Sequence, residues 1–99
     1  MNRCPNSNLW DDSVFITVEF IGTVSTLTKT KKINIEVEEK TTIAHLLHQL
    51  KKIFKGKKIV DELNLLIMMN GIEICALNGY ETELKSNDTI TLIPISHGG

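Results

Sequence analysis

The sequence closes on Ser96-His97-Gly98-Gly99, the segment of the chain best suited to chemistry. With glycine at roughly 7% of residues, a terminal glycine pair arises by chance about once in 200 sequences. Glycine has no Cβ, so a backbone ending in two of them is thin and conformationally free, as a carboxylate entering a buried site requires. His97 beside the pair either helps to seat such a tail or serves as a solvated spacer; with no base, nucleophile or metal set around it, it is not read as a catalytic histidine. His45 and His48 stand three apart, as some metal pairs do, but no Cys or carboxylate completes a set, so they are assigned to a solvated helix face. Cys4 and Cys75 match no CxxC or zinc-ligand spacing and are taken as reduced and uninvolved. No Ser/His/Asp, Cys/His or phosphate-loop constellation has suitable spacing, so the expectation is no catalytic residue, no metal and no bound cofactor.

What surrounds this tail is small. The 99 residues, 41% hydrophobic and 23% charged, suit one compact domain, large enough to fold alone and too small to enclose a large cofactor cleft. Eleven Lys and Arg against 12 Asp and Glu leave a formal net charge of −1, which disfavours direct binding to nucleic acid. No apolar run reaches the roughly 18 residues of a membrane span, and residues 1–13 lack the hydrophobic centre of a signal peptide. A cytoplasmic protein with no membrane partner is expected.

Residues 1–13 read as a flexible N-terminal arm, with only Leu9 and Trp10 to bury. Alternation then begins: Val14, Ile16, Val18 and Phe20 on one face, Phe15, Thr17 and Glu19 on the other. A second strand, Ile33, Ile35 and Val37 against Asn34, Glu36 and Glu38, follows the linker Ile21 to Lys32, read as an exposed hairpin loop, so the two strands are predicted to pair antiparallel. Thr41 or Thr42 can cap a helix whose Ile43, Leu46, Leu47, Leu50, Ile53 and Phe54 fall within about 120° of arc. Gly56 is the expected end of that helix, with lysines favouring its C-terminal dipole.

Leu65 to Met69 is apolar at every position and reads as a strand covered on both faces, followed by the Asn70-Gly71 turn. Ile72 to Cys75 is a short edge strand, Asn78-Gly79 a turn before Tyr80 to Leu84, and Ser86-Asn87-Asp88 a further turn. Thr89 to Ile93 is the last strand, stopped by Pro94. The predicted architecture is therefore α+β, a mixed sheet of four to five strands with one main helix packed on one face. A domain spanning 14–95 would then carry a flexible tail at 96–99.

That order, ending in the run Thr89-Ile90-Thr91-Leu92-Ile93-Pro94-Ile95-Ser96-His97-Gly98-Gly99, resembles the ubiquitin-like β-grasp modifiers and the sulfur carriers of the MoaD and ThiS type. His97-Gly98-Gly99 is similar to the ending of ubiquitin-related modifiers, Pro94 is more like MoaD, and archaeal small modifiers combine these traits. The resemblance covers Val14 to Gly99; residues 1–13 and the Ile21 to Lys32 loop match no family motif. It implies a substrate and carrier rather than an enzyme. The Gly99 carboxylate would be adenylated by an ATP-dependent activating enzyme, with Ser96, His97 and Gly98 as the activation tail. A sulfur donor enzyme would then give a thiocarboxylate, or an enzyme thiol a thioester, and a target lysine an isopeptide. The partner set implied is the adenylating enzyme, the sulfur donor, lysine-bearing target proteins, and the proteasome or sulfur-transfer enzymes, among them those of tRNA thiolation.

By analogy with ubiquitin-like folds, Leu66, Met68 and Ile93 are placed outward as a partner surface, since Ile90 and Leu92 alternate with Ile93 and would line the core. Packing under the N-terminal arm is the competing reading of that patch. The cluster Lys51, Lys52, Lys55, Lys57 and Lys58 is read as a solvated face, with an acidic partner or self-conjugation as the alternative. Two other functions stay open: a MoaD-type sulfur-donor subunit of molybdopterin synthase, and a noncovalent ubiquitin-like interaction module.

Overall fold

A computed structural model of the chain describes residues 13–55 and 65–95. Strand β1, Ser13–Phe20, is the spine, and its alternation buries Val14, Ile16, Val18 and Phe20 while leaving Phe15 exposed. It pairs antiparallel with β2, Lys32–Glu38, in an unbroken register from Ser13↔Glu38 to Glu19↔Lys32, as the two alternating patterns predict. The linker between them is more than a loop. Residues Thr23–Thr28 form a short helix, α1, that buries Val24 and Thr28 and packs Leu27 against the core. Six residues are too few to display a helical period, and their Thr and Ser content masks the turn, which is held by side chain to backbone bonds: Ser25 Oγ donates to the Gly22 carbonyl at 2.7 Å. Gly22 has φ 61° and ψ −135°, a conformation open only to glycine, and a Cβ there would lie 3.2 Å from Pro94 Cγ.

Helix α2, Ile43–Ile53, starts where Thr42, in extended conformation, accepts the His45 N–H on its hydroxyl at 3.3 Å. Ile43, Leu46, Leu47 and Leu50 are buried against the sheet, and Phe54 meets Phe20 edge to face with ring centroids 5.5 Å apart. Ile53 departs from the expected apolar face: it is exposed. It is the last helical residue and lies on the rim of the predicted arc, whereas Phe54, nearer the centre of the arc, reaches the core. Gly56, the expected helix end, lies outside the described residues.

Strand β3, Leu65–Met69, reaches β4, Ile72–Glu73, through a tight turn with Asn70 at φ 53° and Gly71 at φ 84°. The predicted edge strand to Cys75 is cut short, because the chain turns into a 3-10 segment, Ile74–Ala76, that drives Ile74 into the core. The expected double cover of β3 is also revised: Ile67 and Met69 are buried, whereas Leu66 and Met68 on the opposite face are only half-buried.

After Asn78 a 3-10 turn, Gly79–Glu81, leads to Leu84, which is buried, and the Ile43 N–H and Leu84 N–H bond the Thr82 and Thr41 carbonyls. These bonds fasten the segment to the start of α2. In the last turn Asn87 has φ 72°, and Asp88 accepts from the Lys85 N–H at 2.8 Å and from Asn70 Nδ2 at 2.9 Å. Strand β5, Thr89–Pro94, then runs parallel to β1 and antiparallel to β3, burying Ile90 and Leu92; it includes Pro94, opposite Leu65, instead of stopping before it. The five-stranded mixed sheet has the order β2-β1-β5-β3-β4, with α2 as the one main helix, which is the α+β ubiquitin-like β-grasp arrangement. No helix among the described residues is long and apolar enough to cross a membrane.

Candidate functional site: the exit of the last strand

Because β5 is flanked by β1 and β3, whatever follows Pro94 leaves from the middle of the sheet. Ser96, His97, Gly98 and Gly99 lie outside the described residues, so the geometry of the site is that of the surface leading to them. On the face opposite α2, Ile93 stands directly opposite Leu66, and Met68 opposite Thr91. All four are half-buried. The period of two that sends Ile90 and Leu92 inward holds Ile93 out, as the sequence requires.

Two further residues extend this apolar ground. Ile21 follows inward-facing Phe20, donates its N–H to the Leu92 carbonyl at 3.1 Å, and is 44% exposed; Ile95 is 47% exposed. The sequence reading assigned Ile21 to a loop. Continuing the alternation of β1 by one residue would have found it. Polar groups bound the patch: the Thr91 hydroxyl donates to Glu19 Oε1 at 3.1 Å, and Glu73 stands opposite Met68. The result is an apolar strip with an acidic border, placed at the end of the sheet from which the tail departs.

The other chemistry-bearing residues stay apart. His45 and His48 line an open groove between α2 and β2 with Glu36, Glu38 and Lys52. Among the described residues no group of three His, Cys, Asp or Glu is arranged to hold a metal ion. Cys75 is a free, exposed thiol whose pKa is raised, first by its hydrogen bond with Glu73, then by that carboxylate's charge and by slight desolvation. A raised pKa lowers the thiolate fraction, the opposite of nucleophile activation. Lys51, Lys52 and Lys55 are exposed; Lys57, Lys58 and Cys4 lie outside the described residues.

Comparison with known proteins agrees with this arrangement. Residues 18–99 match the ThiS family, from the middle of β1 through the glycine pair. The chain belongs to the ThiS family. No curated protein matches its sequence. Among solved structures it is similar to small archaeal modifier protein 1 of Methanosarcina acetivorans, at 23% identity and a TM-score of 0.73 over 88% of this chain and 98% of that one. It is similar to Urm1 of Trypanosoma brucei at 24% identity and a TM-score of 0.70, over 89% and 98% of the two chains. It is also similar to a chain in the complex of subunits 1 and 2 of the molybdopterin-converting factor of Helicobacter pylori, at 22% identity and a TM-score of 0.61, over 87% and 100%. These likenesses carry the ubiquitin-like β-grasp fold, and the family match gives that fold its ThiS-type, sulfur-carrier affiliation.

Proposed function

We propose that this ThiS-family chain is a sulfur carrier and protein modifier, loaded at Gly99 by an ATP-dependent adenylating enzyme that grips residues 96–99 and the strip of Leu66, Met68 and Ile93. The observation that carries the reading is the half-buried Leu66–Ile93 pair, in which Ile93 lies on the strand that leads into the tail and Leu66 on its neighbour β3, in a chain whose family match extends to Gly99. A half-buried apolar pair beside an exit strand is suited to docking, and two glycines without Cβ are suited to entering the catalytic cleft.

The chemistry belongs to the partner enzyme. A Gly99 carboxylate oxygen attacks the α-phosphorus of ATP, pyrophosphate leaves, and the resulting acyl-adenylate has AMP as a good leaving group. A donor persulfide displaces AMP to give an acyl disulfide, and a second enzyme thiol cleaves its S–S bond, releasing the thiocarboxylate and leaving the donor and that thiol joined as a disulfide. A plain enzyme thiol instead displaces AMP to give a thioester. Attack by a lysine amine instead releases AMP or the enzyme thiol and leaves an isopeptide. Apart from the Gly99 carboxylate that is activated, the chain supplies no acid, base or nucleophile in this scheme, and ATP is the activating enzyme's cosubstrate.

Deletion of Gly98 and Gly99 is expected to abolish pyrophosphate exchange by the activating enzyme while leaving the denaturation midpoint unchanged. Exchange at the full-length rate would end the proposal. Trypsin offers the complementary measurement: no Lys or Arg follows Lys85, so the tail is released as residues 86–99. Peptides branched from an acceptor lysine establish conjugation. A thiocarboxylate alone, with copurification of a large subunit, supports the second reading, a dedicated sulfur donor to a molybdopterin-synthase partner, which the similarity to the Helicobacter pylori complex favours. An unmodified carboxylate throughout favours a noncovalent interaction module.

A further inference from the structure

The two edges of the sheet are unequal. Strand β4 is two residues long and ends in a 3-10 turn, a short edge of the kind that resists pairing with other chains. Strand β2 is seven residues long, contains no proline, and keeps an unbroken register with β1, without a bulge to twist it away. Its backbone polarity can be read directly. The Phe20 N–H bonds the Lys31 carbonyl opposite it, while the Thr17 and Ile21 N–H groups point the other way, to Asp88 and Leu92. By antiparallel alternation Ile33, Ile35 and Val37 bond inward to β1, and Lys32, Asn34, Glu36 and Glu38 aim their N–H and C=O groups at the open edge. The Glu38 carbonyl accepts from the Thr41 N–H and that of Lys32 from the Thr30 hydroxyl; the backbone groups of Asn34 and Glu36 have no partner among the described residues.

We propose that β2 is a self-complementary edge that pairs antiparallel with β2 of a second copy, about a two-fold axis at Ile35. Three independent features select that register. It places the outward-bonding residues opposite each other, so the Asn34 and Glu36 backbones exchange hydrogen bonds with Glu36 and Asn34 of the second copy. It keeps the apolar faces of both sheets on one side, with Ile33 opposite Val37 and Ile35 opposite itself, and Ile33 and Ile35 are half-buried in the single chain. It sets exposed Lys32 opposite exposed Glu38 twice, once on each side of the axis. Moving the axis to Glu36 puts like charges face to face, and moving it to Asn34 leaves part of the strand unpaired. Odd shifts oppose apolar and polar faces.

The joined sheet leaves the strip of Leu66, Met68 and Ile93 free, because β2 and β5 are separated by β1. The two copies run in opposite directions, so their last strands end on opposite sides of the assembly and neither tail obstructs the other. The interface is small beside the roughly 1,600 Å² of stable complexes, so association is weak and reversible.

Sedimentation velocity on the full chain, from micromolar to millimolar concentration, tests this directly. The wild type is expected to shift from monomer to dimer. Lys32→Glu and Glu38→Lys, each opposing like charges twice, are expected to weaken association roughly ten-fold or more. An equimolar mixture of the two variants should restore it, since each new charge then faces its opposite. Circular dichroism shows whether both variants are folded, and the mixture is informative only through the charge pairing. A wild type that stays monomeric at millimolar concentration overturns the proposal. So does a variant that dimerises alone as well as the wild type, a mixture that fails to associate, or a dimer abolished by Leu66→Ser instead. Apart from the Leu66→Ser result, which would put the proposed docking strip inside the dimer contact, these outcomes do not bear on adenylation at Gly99.

Discussion

The two faces of the sheet are built from the same strands and differ only in which alternate residues they receive. The inner face takes Val14, Ile16, Val18, Phe20, Ile67, Ile90 and Leu92, all at most 6% exposed under α2 and its neighbours. The outer face takes Phe15, Thr17, Glu19, Leu66, Met68, Thr91 and Ile93, of which no residue is fully buried. Along β5 the faces alternate residue by residue: Ile90 and Leu92 are inaccessible, while Thr91 and Ile93 are half-exposed. If the outer face docks the activating enzyme as proposed, stability and recognition are separated by one backbone position, since the fold does not require apolar residues there.

That separation is broken most severely from the inside. Leu46 is fully buried on α2, and Leu46→Ala removes its contacts and leaves a cavity, with an expected loss of about 2–5 kcal/mol in urea denaturation. The same truncation on the outer face, Leu66→Ala, removes a half-buried side chain and is expected to lose only about 1 kcal/mol of stability. Its effect should appear instead in activation, as a rise of roughly ten-fold in the carrier concentration needed for half-maximal pyrophosphate exchange. If Leu66→Ala destabilises as much as Leu46→Ala, the outer face is part of the core and the contrast fails.

Gly22 lies where α1 is folded back beside β5, and its effect is intermediate. With φ 61° and a Cβ position 3.2 Å from Pro94 Cγ, Gly22→Ala meets both backbone strain and a near contact with the last residue of β5. A loss of about 1–3 kcal/mol is expected, with hydrogen exchange accelerated first in α1 and at the Ile21 N–H that bonds β5. Wild-type stability in this variant would show that the Gly22–Pro94 contact positions nothing.

How much of this was legible beforehand follows from the length of each pattern. β1, β2 and β5 alternate over enough residues to declare their faces and to place their ends within one residue, the misses being Ser13, Lys32 and Pro94, and α2 declares itself through its repeating leucines. Asn70-Gly71 marked its turn because only residues tolerant of positive φ fit there. The failures sit where segments are short or where tertiary contacts decide. α1 has six residues and no period, β4 is cut to two residues by the burial of Ile74, and Ile53 is left outside because it sits on the rim of the apolar arc while Phe54 beside it takes the place against the core. At the candidate site, Leu66, Met68 and Ile93 were placed on the outer face by alternation and family resemblance, while Ile21 was hidden by reading everything after Phe20 as loop.

The smallest predicted effect tests the same boundary at its rim. Ile74 is buried and Cys75, the next residue, is exposed, so the 3-10 turn passes from core to solvent within one step. The Cys75 thiol depends on one neighbour, Glu73, whose carboxylate also accepts the Cys75 N–H at 3.2 Å. Hydrogen bonding to the protonated thiol and repulsion of the thiolate both raise its pKa. Stability linked to this thiol is fully present below its unfolded pKa and is lost as pH rises through the higher folded value, which places any effect on the alkaline side. Glu73→Gln removes the charge and lowers the pKa, so alkylation by iodoacetamide at pH 8 should accelerate by a small factor, about two- to five-fold, with the far-ultraviolet circular dichroism unchanged. Acceleration by orders of magnitude would instead mean that Glu73→Gln had opened the turn, tying Cys75 to the core that Ile74 anchors and moving the border between the two faces inward by one residue.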